Sequence, residues 1–546
     1  MKARFTYFVL LLFFISFNGL LAQSGLLGGT VVPFQPDKSP IFGFDTFINN
    51  QPLQNQRNIA ICSAFNGWLY AADSYFDTSL RQAAVTFSLS KDNGVTWSVI
   101  LDGTIGLITT AITRLSILAC GNDTANLKLF VGFCIFDSAA SIHYAIVVRY
   151  NGNNGQFEDE ILNDPSGNIR DLALASDDLY PAGGSNPFSL AVVYSKNDGA
   201  DSIVFCASSN GGISFNKRYK IASSSHYFDK VALAYGRSPS CSSGRYFAAW
   251  EEQENVNSVS GHIYTAHSEP DFNSPFTAPV LLDSLDATAA NKASNPVIAC
   301  QNNAADNDSS NLTEVVLFEK YIPSTQKFNV GSFYNKKATV SNNFRKFTID
   351  PSTSNKIQPD ISFNAFDSTF MVTYFDSTAQ KLPYYIHDFN MTDPDAWVGL
   401  SAGYNDYNNL VAPHPQVVMD FEKRTGANAW IGIRGGGNGA AMFDSPFIYY
   451  TGVSEINSNS GSRLVGFYPN PCNSNTTIRF ELQKAEKVNI SICNLVGQSV
   501  GIISDQFYQS GKQDVKCNIS NLSPGSYIIK FKAGDFLSAG KLTVIR

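Results

Sequence analysis

Along most of the chain, apolar residues alternate with polar or small ones. Helical spacing is almost absent between residues 55 and 450. Seven short segments share one alternating pattern: NIAIC ending at Cys62, SILAC at Cys120, LALAS at Ser176, VALAY at Tyr235, PVIAC at Cys300, DISFN at Asn364 and QVVMD at Asp420. Their ends are 58, 56, 59, 65, 64 and 56 residues apart. A turn and a more apolar strand follow each one: GWLYAA, LKLFVGF, FSLAVVY, RYFAAW, EVVLFE, TFMVTY and AWIGIR. A third strand comes next, from AAVTFSLS in the first unit to SPFIYY in the last, and a fourth segment completes six of the units.

A four-stranded sheet cannot bury both faces alone. A ring of such sheets can, and it leaves only short edges. The pattern therefore predicts an all-β chain whose body, residues 23–453, is a seven-bladed β-propeller. Six blades plus a distorted unit is the alternative. The last unit lacks a fourth strand, and Gly29-Thr30-Val31-Val32-Pro33-Phe34 is expected to supply it.

Lys2 and Arg4 precede an apolar run from Phe5, and small residues follow up to Ala22. This is the layout of a secretory signal peptide over residues 1–22. No later stretch is long and apolar enough for a spanning helix. The net charge is -7 with no long basic block, so nucleic acid is not an expected partner. Charged residues are only 16% and aromatics are 13%, which excludes a disordered chain. Nine cysteines include no CxxC pair and no Cys/His cluster, so neither a metal nor another cofactor is expected. Most should be small buried apolar residues, with one or two bridges possible.

Between third and fourth strands, Ser90-Lys91-Asp92-Asn93-Gly94-Val95-Thr96-Trp97 fits S-x-D-x-G-x-T-W. Ser208-Ser209-Asn210-Gly211-Gly212-Ile213-Ser214-Phe215 repeats it with Asn for Asp and Phe for Trp. Asp or Asn can bind turn amides, Gly permits positive φ, and the aromatic anchors the hairpin. Both segments resemble the Asp-box, or BNR repeat, of sialidase-like propellers. There the motif is structural: Ser90, Asp92, Gly94 and Trp97, and Ser208, Asn210, Gly212 and Phe215.

That resemblance implies a ligand-binding face where the innermost strands begin. Arg57, Arg114, Arg170, Lys230 and His414 stand near those starts, and Asp73 follows the first unit's second strand. They are the candidate ligand-binding residues, and Arg suits carboxylates or phosphates. A sialidase-like hydrolase would also need a Tyr–Glu pair and an Asp, for which Tyr449 or Tyr450, Glu251 or Glu319, and Asp73 are candidates. The family's Phe/Tyr-Arg-Ile-Pro signature is not reproduced, since the chain reads Gln56-Arg57-Asn58-Ile59.

Residues 454–463 are rich in Ser, Asn and Gly and read as a linker. Residues 464–546 alternate with period two between turn residues, the pattern of a small immunoglobulin-like β-sandwich. They contain Tyr468-Pro469-Asn470-Pro471, the Gly497-Gln498 turn, LSPGSY with Gly525 and Tyr527, and a basic last strand with Lys541. These motifs, in this order, resemble the type A C-terminal sorting domain of the type IX (Por) secretion system of Bacteroidota. The resemblance implies passage through the periplasm to the cell surface or beyond, with the type IX machinery as partner. The body is then expected to be a binding module for glycan or protein. A sialidase-like glycoside hydrolase and a structural or adhesive surface protein are the alternatives.

Overall fold

The computed structural model describes residues 41–447, 454–455, 463–468 and 472–544 apart from short internal segments, the longest being 178–187, 284–291, 303–311 and 388–394. No α-helix occurs among the described residues. They divide into two compact units, one within residues 38–448 and one within 449–546.

The larger unit holds seven four-stranded antiparallel sheets among its described residues. Their first strands are Asn58–Ser63, Thr110–Cys120, Asn168–Ser176, Tyr227–Ser238, Ala293–Cys300, Lys356–Asn364 and Gln416–Asp420. Every alternating segment found in the sequence lies on one of these. Each first strand packs beside the next, and the seventh returns to the first. Seven apolar clusters fill the seven sheet-to-sheet interfaces, including the one between sheets seven and one. Both faces of every sheet are thereby removed from water, which is the physical reason for the ring. Ile61, Ile117, Leu174, Leu233, Ile298, Ile361 and Val418, one from each first strand, line an axial cavity of about 330 Å³. The arrangement is a β-propeller fold.

Closure differs from the sequence expectation. Residues 29–34 lie outside the described residues. The fourth strand of sheet seven is Thr46–Phe47, with Thr46 opposite Phe443 and Phe47 opposite Met442. The Ile48 N–H continues the pairing to the Ala441 carbonyl (2.9 Å) and the Gln56 N–H reaches that of Gly439 (3.2 Å). The third strand of this sheet is Gly439–Asp444, not the segment at Ser445–Tyr450. Its small residues, Gly439, Ala440 and Ala441, gave a weak apolar signal, yet they are what fits the narrow space. Deleting residues 41–49 should expose this edge and the buried Ile48 contact. We expect a marked fall in melting temperature, read by calorimetry, and a ring that melts at an unchanged temperature would disprove the closing role.

Both hairpins adopt one hydrogen-bond pattern. In the first, the Gly94 N–H donates to Ser90 Oγ (2.8 Å), and Ser90 Oγ donates to Asp92 Oδ1 (2.9 Å). Thr96 donates its N–H to Asp92 Oδ1 (2.8 Å) and its hydroxyl to Oδ2 (2.6 Å). In the second, Gly212 N–H donates to Ser208 Oγ (3.1 Å) and Ser214 N–H to Asn210 Oδ1 (3.2 Å). The Trp97 ring meets Phe443 of sheet seven edge-on at 5.3 Å, and Phe215 packs into the core between sheets two and three. Each hairpin therefore ties its own sheet to the preceding one.

The smaller unit has a five-stranded and a three-stranded sheet sharing one core, with Phe480, Ile490, Ile529 and Leu542 at its centre. Tyr468 ends the strand Arg463–Tyr468, and Gly525 and Lys541 lie on strands that pair with each other. The Tyr527 hydroxyl donates to the Ser523 carbonyl (2.9 Å). Pro469, Asn470, Pro471, Gly497 and Gln498 lie outside the described residues. Cys62, Cys134, Cys206, Cys300 and Cys517 are buried free thiols, and Cys120 and Cys472 are buried as well.

Candidate functional site at the axial mouth

Five consecutive first strands, in sheets two to six, carry a register shift near their start. An extra residue there bends the strand and re-aims its neighbours. In sheet two the extra residue is Thr113, so Arg114 is the next one in register. In sheet three it is Arg170, so Asp171 takes the place equivalent to Arg114. One position of slip thus separates two arginines that look equivalent in sequence.

The strand starts enclose a polar cavity of about 150 Å³ that adjoins the axial one. Arg114, Lys230 and His414 line it together with Asn58, Asp171, Asn295, Gln358 and Gln416. Arg114 Nε stands 3.4 Å from Asp171 Oδ1, and Lys230 Nζ 3.5 Å from Asp229 Oδ1. Burial alone would lower the Lys230 pKa, but the Asp171 and Asp229 carboxylates outweigh it and hold the ammonium above its usual range. His414 is pushed down to about 4, first by burial and then by the charges of Arg114 and Lys230. Its imidazole is neutral at pH 7. Gln358 accepts the His414 N–H on Oε1 (3.1 Å) and donates Nε2–H to His414 Nδ1 (3.3 Å), which leaves the ring proton on Nε2.

Asn295, Gln358 and His414 have φ of 51°, 53° and 46°, and each precedes a proline. Left-handed non-glycine residues are unfavourable by roughly 1–3 kcal/mol each and persist where surrounding bonds hold them. Here the bonds are visible. Glu251 of sheet four accepts the Asn295 N–H (3.2 Å), and Glu319 of sheet five accepts the Gln358 N–H (2.8 Å). Asp171 and Asp360 likewise accept the N–H groups of Val231 (2.9 Å) and Val417 (2.7 Å) in the next sheet. These carboxylates hold the mouth in shape. Burial, opposed by bonds from Gln253 and Asn295, pushes Glu251 up to about 7. Burial also pushes Asp360 up to about 7, against the pull of the Val417 amide and Arg114.

The other sequence candidates stand elsewhere. Arg57 is exposed and does not line the mouth, and Asn58 occupies that place. Asp73 is fully buried, within 3.4 Å of Asn49 Nδ2 beneath the closing segment. Arg170 is locked between sheets three and four. It pairs with Asp201 (2.7 Å), donates to the Phe228 carbonyl (2.7 Å) and lies 3.8 Å from the Tyr227 ring centre. Tyr449 and Tyr450 lie outside the described residues. Asn295 and Gln358 were missed, although Asn295-Pro296, Gln358-Pro359 and His414-Pro415 recur within one residue of the same offset in three successive units. No group of three or more potential metal ligands is found among the described residues, and no described helix is long and apolar enough to cross a membrane.

Residues 466–545 match the secretion system C-terminal sorting domain. The sorting domain directs the chain through type IX secretion to the cell surface or the extracellular space, and the secretion machinery is its partner. No curated protein matches the chain. Solved structures similar to it include a Dyadobacter fermentans protein of unknown function, at 11% identity, covering 74% of this chain and 98% of that one with a TM-score of 0.40. A Penicillium chrysogenum alpha-L-arabinanase complexed with arabinobiose has 10% identity, coverage of 74% and 99%, and a TM-score of 0.41. A Fusarium graminearum alpha-L-arabinofuranosidase with an iminosugar inhibitor has 11% identity, coverage of 75% and 97%, and a TM-score of 0.40. Likenesses this distant bear on neither activity nor ligand.

Proposed function

We propose that the exported body is a seven-bladed propeller that binds a neutral saccharide at its axial mouth and does not hydrolyse it. The observation behind this reading is the pairing of charges there. Arg114 faces Asp171, Lys230 faces Asp229, and His414 is uncharged. Such pairs offer donors and acceptors side by side with little net charge, which suits hydroxyl groups better than a carboxylate. Asn58, Gln358 and Gln416 add amides of both kinds. The strained residues fix these groups before a ligand arrives, which lowers the ordering cost of binding. Hydrolysis needs a carboxyl pair free to exchange protons. Asp171, Glu251, Glu319 and Asp360 are instead each engaged by a backbone N–H.

In the same reading, residues 1–22 are a signal peptide, residues 23–453 the propeller, 454–463 a linker and 464–546 an immunoglobulin-like sorting domain. The two hairpins are Asp-boxes that serve only the fold.

The test is calorimetric titration of the full chain with neutral and acidic oligosaccharides, alongside a reducing-sugar assay. Neutral sugars should bind without turnover. Lys230→Ala or Gln358→Ala should each weaken binding by about 0.5–1.5 kcal/mol, the usual net worth of a hydrogen bond. Arg57→Ala should leave it unchanged. Binding of acidic sugars alone, measurable turnover, or indifference to both mouth substitutions would reject the proposal.

A further inference from the structure

A second cavity, about 730 Å³, lies beside the mouth across sheets two, three and four. Thr113 and Lys230 line both cavities, so the two spaces adjoin at these side chains. The mouth, at about 150 Å³, is smaller than an ordinary ligand pocket of roughly 300–1,000 Å³, whereas the groove falls within that range.

The groove floor is rigid. Arg170 reaches both oxygens of Asp201 (2.7 and 3.1 Å), Asp201 accepts the Phe228 N–H (2.8 Å), and Tyr227 lies against the guanidinium. Arg170 and Asp201 pair their charges as at the mouth, and His226 Nδ1 lies 2.8 Å from Glu252 Oε1. His143 lines the groove with its ring tilted over Phe136 at 4.6 Å. Its Nδ1 is buried without a hydrogen-bond partner in the structure. Burial and the charge of Arg170 lower the pKa of His143, so a neutral imidazole lines the groove.

We propose that the groove is a run of subsites continuing the mouth, so that the ligand is a chain of several neutral sugar units: one at the axis and the rest lying over Thr113, Arg170 and His143 towards the exposed Asn255. This inference rests on the saccharide reading above and extends it from a single sugar to a polymer.

The experiment uses the full chain and ladders of one to six units of cello-, xylo-, manno-, malto- and arabino-oligosaccharides, with Kd measured by calorimetry. In the ladder that binds, affinity should rise about tenfold or more between one and four units and then level off, as each added hydrogen bond contributes about two- to tenfold. His143→Ala should flatten that rise, and Gln358→Ala should weaken every length alike. Asn255→Ala, at an exposed position, supplies a second groove variant, with thermal unfolding as the folding control. A ladder that binds with the same affinity at every length would overturn the polymer inference and leave the mouth reading standing. So would length dependence untouched by both groove variants. Failure of every ladder to bind at any length would overturn both.

Discussion

Replacing Gly94 with alanine should destabilise the ring by about 2–4 kcal/mol, combining overpacking with backbone strain. Gly94 has φ +81°, a region that L side chains rarely adopt. A Cβ there would lie 1.8 Å from Cε1 of Phe443. That ring has little room to retreat. It is 2% exposed, packs against Trp97, and belongs to the strand that receives the closing segment. The damage therefore falls on the junction between sheets seven and one. Gly212 is the equivalent position in sheet three, where a Cβ would stand 2.4 Å from Phe130, and its substitution should behave alike. Gly103 is the control, since its φ is not positive and nothing lies within 4 Å of an added Cβ. Denaturant midpoints read the comparison, and equal stability of Gly94→Ala and Gly103→Ala would refute the hairpin's role.

A second large effect is a stability that declines as pH rises towards 8. Burial pushes Glu314 from 4.5 up to about 7, against the hydrogen bond donated by Thr265 (2.6 Å). Glu251 and Asp360 are raised to the same level. Between about pH 4 and 7 the folded chain keeps protons that the unfolded chain has released. The native state then binds more protons, so stability falls through this window and the loss is complete above pH 7. One pKa unit corresponds to about 1.4 kcal/mol, which bounds the Glu314 effect at roughly 3 kcal/mol. His143, His267 and His414 have lowered pKa values and act in the opposite sense between about pH 4 and 6.5. The clean readout is therefore a difference. Glu314→Gln keeps an acceptor for Thr265 and cannot ionise, so relative to the parent it should gain about 2–3 kcal/mol between pH 5 and 8. Parallel pH profiles for the two proteins would show that Glu314 does not titrate in this range.

Both effects arise from the way the sheets meet, and that is where sequence and structure divide. Alternation at Ile59 and Ile61, or at Leu172 and Leu174, shows a strand and its inward face without any neighbour, because strand geometry places every second side chain on one side. The hairpins at Ser90 and Ser208 are equally local, since their hydrogen bonds close within six residues. Thr46–Phe47 is different. Two residues have no period, and they form a strand only because sheet seven presents an unpaired edge.

By itself, the sequence determined most of the strands, their grouping into repeated units, the two stapled hairpins and the export domain, because each leaves a pattern or motif that is local along the chain. Only the tertiary structure decided which side chains share the mouth. A single extra residue at the start of a strand shifts everything after it, so Arg114 faces the cavity while Arg170 is bound between sheets. It also decided that Glu251, Glu319 and Asp360 are braces, since the amides they hold belong to the next sheet, more than 35 residues away in sequence.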